Sequence, residues 1–303
     1  MQQKPTLRGY AWSLVRKHRW LPPMVVFACG LVFVMAARIG PHLLWMFGTA
    51  AGLALASYVW GYASRAFKVV NYPSLLNLPR RQYGDVWDAL AATPELAKVA
   101  ASGYEDENSL RQSAQTPVNN LIELAGVRTE DDILEFGCGV ARIGRELAPR
   151  CRSWTGADIS ANMLATAAQR LRTVTNVRLV KLQHVGLDEL ESSSFDLVYS
   201  TNMLDHLDGM DRWCYVQEAF RVLRPGGRLF IDNTDLEQDA GWRAFANGAK
   251  ASQKLERAPY SPTPSTAAEL TTYASRAGFA QILAHKRSPL MIITAVKPPF
   301  ERS

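Results

Sequence analysis

Glu135, Gly137, Gly139 and Asp158 are the residues of this chain whose types and spacing point most directly to chemistry. They fall in two short stretches, Ile133-Leu134-Glu135-Phe136-Gly137-Cys138-Gly139-Val140-Ala141-Arg142 and Trp154-Thr155-Gly156-Ala157-Asp158. The first reads as a buried strand running into two close-set glycines, with an acid two residues ahead of them. The second reads as a strand tipped by a carboxylate. Backbone without side chains lets a ligand approach closely, and a carboxylate ending the neighbouring strand can accept hydrogen bonds from a ribose diol. Together the two stretches point to a cofactor that carries a nucleoside.

Two cofactor classes meet that description, a dinucleotide and S-adenosylmethionine. A pyrophosphate-binding turn needs Gly-x-Gly-x-x-Gly, but the sixth position counted from Gly137 is Arg142. Glu135 instead suits a ligand bearing an ammonium group. The stretch resembles the first motif of the class I S-adenosylmethionine-dependent methyltransferases, an acid-x-Gly-x-Gly-x-Gly pattern, with the small Ala141 in place of the last glycine. Three further segments resemble the same family, in its type 11/25-like form and in the right order. They are Ser194-Phe195-Asp196-Leu197-Val198-Tyr199-Ser200, Met203-Leu204-Asp205-His206-Leu207, and Phe220-Arg221-Val222-Leu223-Arg224-Pro225-Gly226-Gly227-Arg228-Leu229-Phe230.

The elements that must position these residues alternate. Strands are expected near 132–136, 153–157, 177–183, 195–200 and 228–233, with helices after the glycine turn at 141–148 and from Ser160 onward, where Met163, Leu164 and Ala167 share a face. Apolar strands separated by helices mean a mostly parallel sheet covered on both faces. The resemblance implies a Rossmann-like sheet of seven strands, closed by a helix near 267–277 and strands near 281–285 and 290–296. The expected domain covers 116–298 and opens on a helix at 117–124. Residues 235–264, with Trp242, Phe245 and Tyr260, read as an irregular insertion that could be a lid.

Ligands gather at the carboxyl ends of parallel strands, where strand order reverses. By the resemblance, Glu135 faces the methionine ammonium, Gly137, Cys138 and Gly139 line the sugar and methionine portions, and Asp158 takes the ribose hydroxyls. Ile159 and Met163 pack beside adenine, Gln183 or His184 supplies its edge hydrogen bond, and Ser200 and Asn202 border the crevice. Asp158 has a second reading, as a cap for the helix that follows. His206, beside Asp205, is the candidate catalytic base. Cys138 reads better as a small buried residue than as a nucleophile, and the four cysteines lack zinc or disulfide spacing, so no metal is expected.

The chain of 303 residues has a formal charge of +6, unevenly placed. Ten basic residues and no acidic one precede Asp85, leaving 24 Lys and Arg against 28 Asp and Glu, about −4, in the cofactor-binding part. That distribution argues against a nucleic-acid partner. The basic residues flank apolar runs at 21–39 and 42–62, each long enough for a membrane crossing and joined at Gly40-Pro41. The expected order is a basic cytoplasmic arm (1–20), an α-helical transmembrane hairpin (21–64), a helical connector (65–115) and the catalytic domain, held on the cytoplasmic face. Gly48, Gly52 and Ala56 could pair hairpins into a homo-oligomer.

The function expected is methyl transfer from S-adenosylmethionine to a lipid-like or membrane-associated acceptor, since tethering raises acceptor concentration near the site. Two alternatives from other classes are an inactive S-adenosylmethionine-binding scaffold of a membrane complex and a nicotinamide-dependent oxidoreductase. Equilibrium binding of the two cofactors separates the last from the first.

Overall fold

A computed structural model describes residues 82–253 and 257–299. Three helices precede the sheet: α1 (Tyr83–Leu90), α2 (Pro94–Ser102) and α3 (Glu107–Asn120), the last running into a wide turn at Leu121–Ala125. Their limits follow from local chemistry. The Thr93 side chain accepts from the Leu96 amide with Pro94 in the first turn, and Gly103 ends α2 in the left-handed region at φ 81°. Asp106 caps α3 by accepting from Ser109 N.

Then strands and helices alternate: β1 (Asp132–Phe136), α4 (Gly144–Leu147), β2 (Ser153–Asp158), α5 (Ala161–Leu171), β3 (Val177–Lys181), β4 (Phe195–Ser200), α6 (Gly209–Val222) and β5 (Leu223–Thr234). The chain finishes with α7 (Asp239–Gln253), α8 (Ala267–Ala277), β6 (Ala280–Arg287) and β7 (Leu290–Val296). Strand order is β3-β2-β1-β4-β5-β7-β6. β1 to β5 run parallel, and β7 is antiparallel to both of its neighbours. This is the expected seven-stranded, mostly parallel Rossmann-like sheet.

Both faces of the central strands are buried. Leu134, Phe136, Val198, Leu229 and Ile231 pack against side chains of α6 and α8, including Val216, Ala219 and Leu270. Ile133, Trp154, Leu197, Tyr199 and Phe230 pack on the other side against Leu121, Ile143, Leu147 and Leu164. Burying each large apolar side chain contributes on the order of 1.5–3 kcal/mol, so the middle strands are the rigid part of the molecule. Strand order reverses between β1 and β4, which opens a crevice at their carboxyl ends.

Local departures from expectation have local causes. The helix expected at 141–148 is a turn up to Ile143 and only four residues of helix, because Ala141 sits at φ 54° and cannot be helical. β3 ends at Lys181 rather than Gln183. The stretch 235–264, expected to be irregular, carries the 15-residue α7.

One expectation is corrected outright. Among the described residues no helix is long and apolar enough to cross a membrane. The apolar runs at 21–39 and 42–62, the hairpin, the basic arm and the hairpin-mediated pairing all lie outside the described residues. Localisation to a membrane, with the catalytic domain on its cytoplasmic side, is therefore withdrawn.

Candidate active site

A cavity of about 340 Å³ lies at the carboxyl ends of β1, β2 and β4. Its floor is the turn after β1. Gly137 and Gly139 stand at φ 71° and 53°, and a Cβ on Gly137 would fall 2.4 Å from Met203 Cγ. Conformation and space both call for glycine at 137, and conformation alone favours it at 139. The roof comes from Tyr83 and Trp87 of α1 and from residues 100–103 at the end of α2.

Asp158 ends β2 and is 7% exposed. Its Oδ2 accepts from Gly139 N at 2.8 Å, and its Oδ1 accepts from Ser160 N at 2.8 Å. The cap of α5 is Ser160, whose hydroxyl accepts from Met163 N at 3.1 Å. The Asp158 carboxylate thus pins the glycine turn and lines the cavity, with lone pairs left over for donors there. Burial pushes its carboxyl above the ordinary range, opposed by the amides of Ser160 and Gly139.

Glu135 is 3% exposed, one residue before the end of β1. Tyr199 Oη donates to Glu135 Oε2 at 2.6 Å, and Trp154 Nε1 donates to Tyr199 Oη at 3.0 Å. Desolvation raises the Glu135 carboxyl to about 8, against the opposing pull of the Tyr199 hydrogen bond and the Arg142 guanidinium. Trp154 holds this chain of donors in place by lying over two glycines. A Cβ on Gly144 would come within 2.1 Å of its ring, and one on Gly156 within 2.3 Å.

The sequence candidates divide cleanly. Glu135, Gly137, Cys138, Gly139, Asp158, Ile159, Met163, Asn202 and His206 all line the cavity. Gln183, His184 and Ser200 do not. β3 bonds to β2 up to Leu182, whose amide donates to Asp158 O at 2.9 Å, so Leu182 faces the cavity and the chain then turns away. Gln183 N donates to Glu189 Oε1 at 2.9 Å, and the exposed His184 pairs with Asp188 at 2.5 Å. Ser200 is fully buried and donates to Phe136 O at 2.9 Å, tying β4 to β1. Burial raises the Cys138 thiol well above its ordinary value, which makes it a poor nucleophile.

The ring of His206 meets that of Trp87 edge-on at 4.8 Å. Its Nδ1 lies 2.9 Å from Tyr260 O, a carbonyl that can only accept, so the Nδ1 proton is in place. Its Nε2 stands 3.5 Å from Asp205 Oδ1. An imidazole oriented by a carbonyl on one side and a carboxylate on the other is fixed at the cavity wall.

Sequence reasoning missed Tyr199, Trp154, Thr201 and Asp232. Thr201 is 7% exposed, lines the cavity and has an Oγ1 without a hydrogen-bond partner among the described residues. Asp232, on β5, accepts from Asn202 N at 2.7 Å. A signal existed for Tyr199 alone: its hydroxyl follows the apolar pair Leu197-Val198 in a strand that leads to the crevice.

The residues present fit S-adenosylmethionine. Two separate buried carboxylates border one glycine-floored cavity, matching an ammonium at one end and a diol at the other. Ile159, Met163 and Leu182 supply apolar surface beside the second carboxylate. Residues 134–231 match the family described as a methyltransferase domain. The chain carries a class I methyltransferase domain. The cofactor of this domain is S-adenosylmethionine. Similar proteins include 27-O-demethylrifamycin SV methyltransferase of Amycolatopsis mediterranei, 31% identical over 42% of this chain and 48% of that protein. Malonyl-[acyl-carrier protein] O-methyltransferase of Enterobacter lignolyticus is 32% identical over 52% of this chain and 61% of its own length. The chain spans less than two thirds of the length of these curated relatives. Among solved structures, phosphoethanolamine N-methyltransferase 2 of Haemonchus contortus, bound to S-adenosylhomocysteine, has a TM-score of 0.52 at 17% identity, covering 73% of this chain and 60% of that one. It shares the fold of the methyltransferase domain described here.

Proposed function

We propose that this protein transfers a methyl group from S-adenosylmethionine to a small-molecule acceptor with a substantial apolar part. The observation that carries the reading is the pair of buried carboxylates, Glu135 and Asp158, set apart on one glycine-floored cavity. When bound, S-adenosylmethionine supplies an activated methyl group on a positively charged sulfur. The chain's own residues bind and orient. Glu135 would hold the ammonium, Asp158 the ribose hydroxyls, and Ile159, Met163 and Leu182 the adenine faces.

Methyl displacement needs alignment and a dry cavity more than it needs covalent help from the protein. Trp87, Met203 and Leu207 give the cavity an apolar wall beside His206 that excludes water. An apolar acceptor fits that wall, and one relative is named an O-methyltransferase. His206 is held between the Tyr260 carbonyl at Nδ1 and Asp205 at Nε2, which supports a positioning role at the cavity wall.

Two measurements test the reading. Calorimetry should detect binding of S-adenosylhomocysteine in preference to a nicotinamide dinucleotide, and the reverse preference overturns it. Label from methyl-labelled cofactor should appear in small molecules of a cell extract. Binding without transfer would favour the inactive scaffold.

A further inference from the structure

A second cavity, of about 590 Å³, adjoins the first. The two share Ala101, Ser102, Arg142 and Asn202. The nucleoside would rest on the Asp158, Ile159, Met163 and Leu182 side. Two of the four tie the junction to the other end: the Arg142 guanidinium acts on Glu135, and Asn202 N donates to Asp232. The second cavity therefore meets the first at the Glu135 end, where the reactive part of the cofactor would lie. Its walls are mixed: Thr116 and Pro117 of α3, Phe230 of β5, and Pro289 and Leu290 at the turn between β6 and β7. A volume of this order suits a small molecule.

The chemical group in it is Asp232. This carboxylate is 2% exposed and lines the second cavity. Its Oδ1 accepts from Asn202 N at 2.7 Å, while its Oδ2 has no hydrogen-bond partner among the described residues. The same amide bond ties it to a residue that lines both cavities. We infer that the second cavity receives the methyl acceptor and that Asp232 takes the proton from a hydroxyl group of that acceptor, an inference that rests on the methyl-transfer reading above. Apolar parts of the acceptor would lie on Pro117, Phe230, Pro289 and Leu290. As the acceptor oxygen bonds to the methyl carbon, the carbon–sulfur bond breaks and leaves its electron pair on sulfur. The hydroxyl proton passes to Asp232 Oδ2. The products are a methyl ether, a neutral thioether and a protonated Asp232, which returns its proton to solvent.

The electrostatic setting supports this assignment. Desolvation raises the Asp232 carboxyl to about 7; Asp205 adds to the rise, and Arg142 and the Asn202 amide oppose it. A base works best when its affinity for protons is near that of the medium. The other charged groups of this cavity are Arg142, which donates to the Ser113 carbonyl, and Lys286 and Arg287, which are engaged at its rim with Glu237 at 3.9 Å and Glu123 at 2.5 Å.

The test uses simple phenols, and anilines of matched shape, as probes for labelled methyl transfer by the full chain. A neutral amine needs no base before it attacks, so the two probe sets separate proton removal from positioning. Asp232→Asn, which keeps an oxygen for Asn202 N, should lower phenol turnover at least 100-fold and aniline turnover less than threefold. Thr116→Trp, on the exposed side of α3, should lower phenol affinity at least tenfold while calorimetry finds S-adenosylhomocysteine affinity unchanged. Equal losses for both probes with Asp232→Asn, no effect of either variant, or no phenol methylation by wild-type protein that binds S-adenosylhomocysteine would overturn the inference. Wild-type protein that does not bind S-adenosylhomocysteine would instead overturn the methyl-transfer reading itself.

Discussion

The two rims of the sheet treat their acids in opposite ways. At the amino-terminal rim, Asp132 at the start of β1 meets Arg152, Arg224 at 3.0 Å and the Ser153 hydroxyl at 2.7 Å, while Asp196 takes Arg224 at 2.6 Å and Asp131 takes Arg228 at 2.6 Å. The Arg152 hydrogen bond, with Ser153 and Arg224 assisting, holds the Asp132 carboxyl well below the usual carboxylate range. At the carboxyl rim, Glu135, Asp158 and Asp232 are all raised by burial. The arginine nearby, Arg142, donates to the Ser113 carbonyl at 2.5 Å rather than pairing with an acid. β1 carries Asp132 and Glu135 three residues apart, so neither strand nor residue type decides their fate. What differs is the partner: charge is matched at one rim, and at the other it is left for a ligand to match.

That contrast can be broken by substitution. The largest effect is expected from Asp158→Ala, which removes acceptors from the proposed ribose site and from the glycine turn. S-adenosylhomocysteine affinity should fall by about 1–3 kcal/mol in calorimetry, and unchanged affinity would remove Asp158 from the site. Next come Glu135→Gln and Asp132→Asn, which should move stability in opposite directions. Because the folded-state value of Glu135 is raised from 4.5 to about 8, folding takes up a proton there. Its contribution is most favourable below about pH 4.5 and is lost as pH rises toward 8. Glu135→Gln should therefore raise the melting temperature of cofactor-free protein at pH 8 to 9 while weakening cofactor binding. Wild-type affinity should rise with pH up to about 8, and the variant's should not.

Asp132, by contrast, is depressed, so its contribution is present above the ordinary carboxylate range and is lost as pH falls through it. Asp132→Asn should cost about 1 kcal/mol at pH 7 in denaturant unfolding and leave cofactor affinity intact. A loss of affinity in that variant would mean that the rims are coupled. Tyr199→Phe should weaken cofactor binding several-fold by releasing the Glu135 side chain, at a stability cost of about 1–3 kcal/mol for stranding the Trp154 donor. The smallest effect belongs to Ala141→Gly. A non-glycine residue at φ 54° is strained by about 1–2 kcal/mol, offset in part by glycine's greater chain entropy, so a gain of no more than about 1 kcal/mol is expected.

The parts of this site legible in the sequence were those written in backbone chemistry. Gly137 and Gly139 announce a left-handed turn, Asp158 announces a strand end, and their order along the chain announces a parallel sheet. What stayed hidden was set by register and by contacts distant in sequence. Extending β3 by two residues put Gln183 and His184 at the crevice, whereas the last ladder bond is at Leu182, and a shift of one residue turns a side chain to the other face. Asp232 is followed in β5 by the polar Asn233 and Thr234, so nothing local distinguishes it from a surface acid. Its role depends on an amide 30 residues earlier. The roof from α1 and α2 was hidden for the same reason, since helices lying over a cavity read in sequence as a connector. α7 was missed because Gly241 and Gly248 weaken its helical signal, although Gly241 is where the helix passes against the Asp235 carbonyl.

Trp154 makes one unit with Gly144 and Gly156. Its indole occupies the space that side chains at Gly144 and Gly156 would need, and it also carries the donor that steers Tyr199. Enlarging either glycine alone would evict the ring and slacken the grip on Glu135. Change at these sites must therefore be concerted: a smaller residue at 154 first, then freedom at 144 and 156. A combinatorial library over the three positions should recover them as a linked set rather than as independent choices.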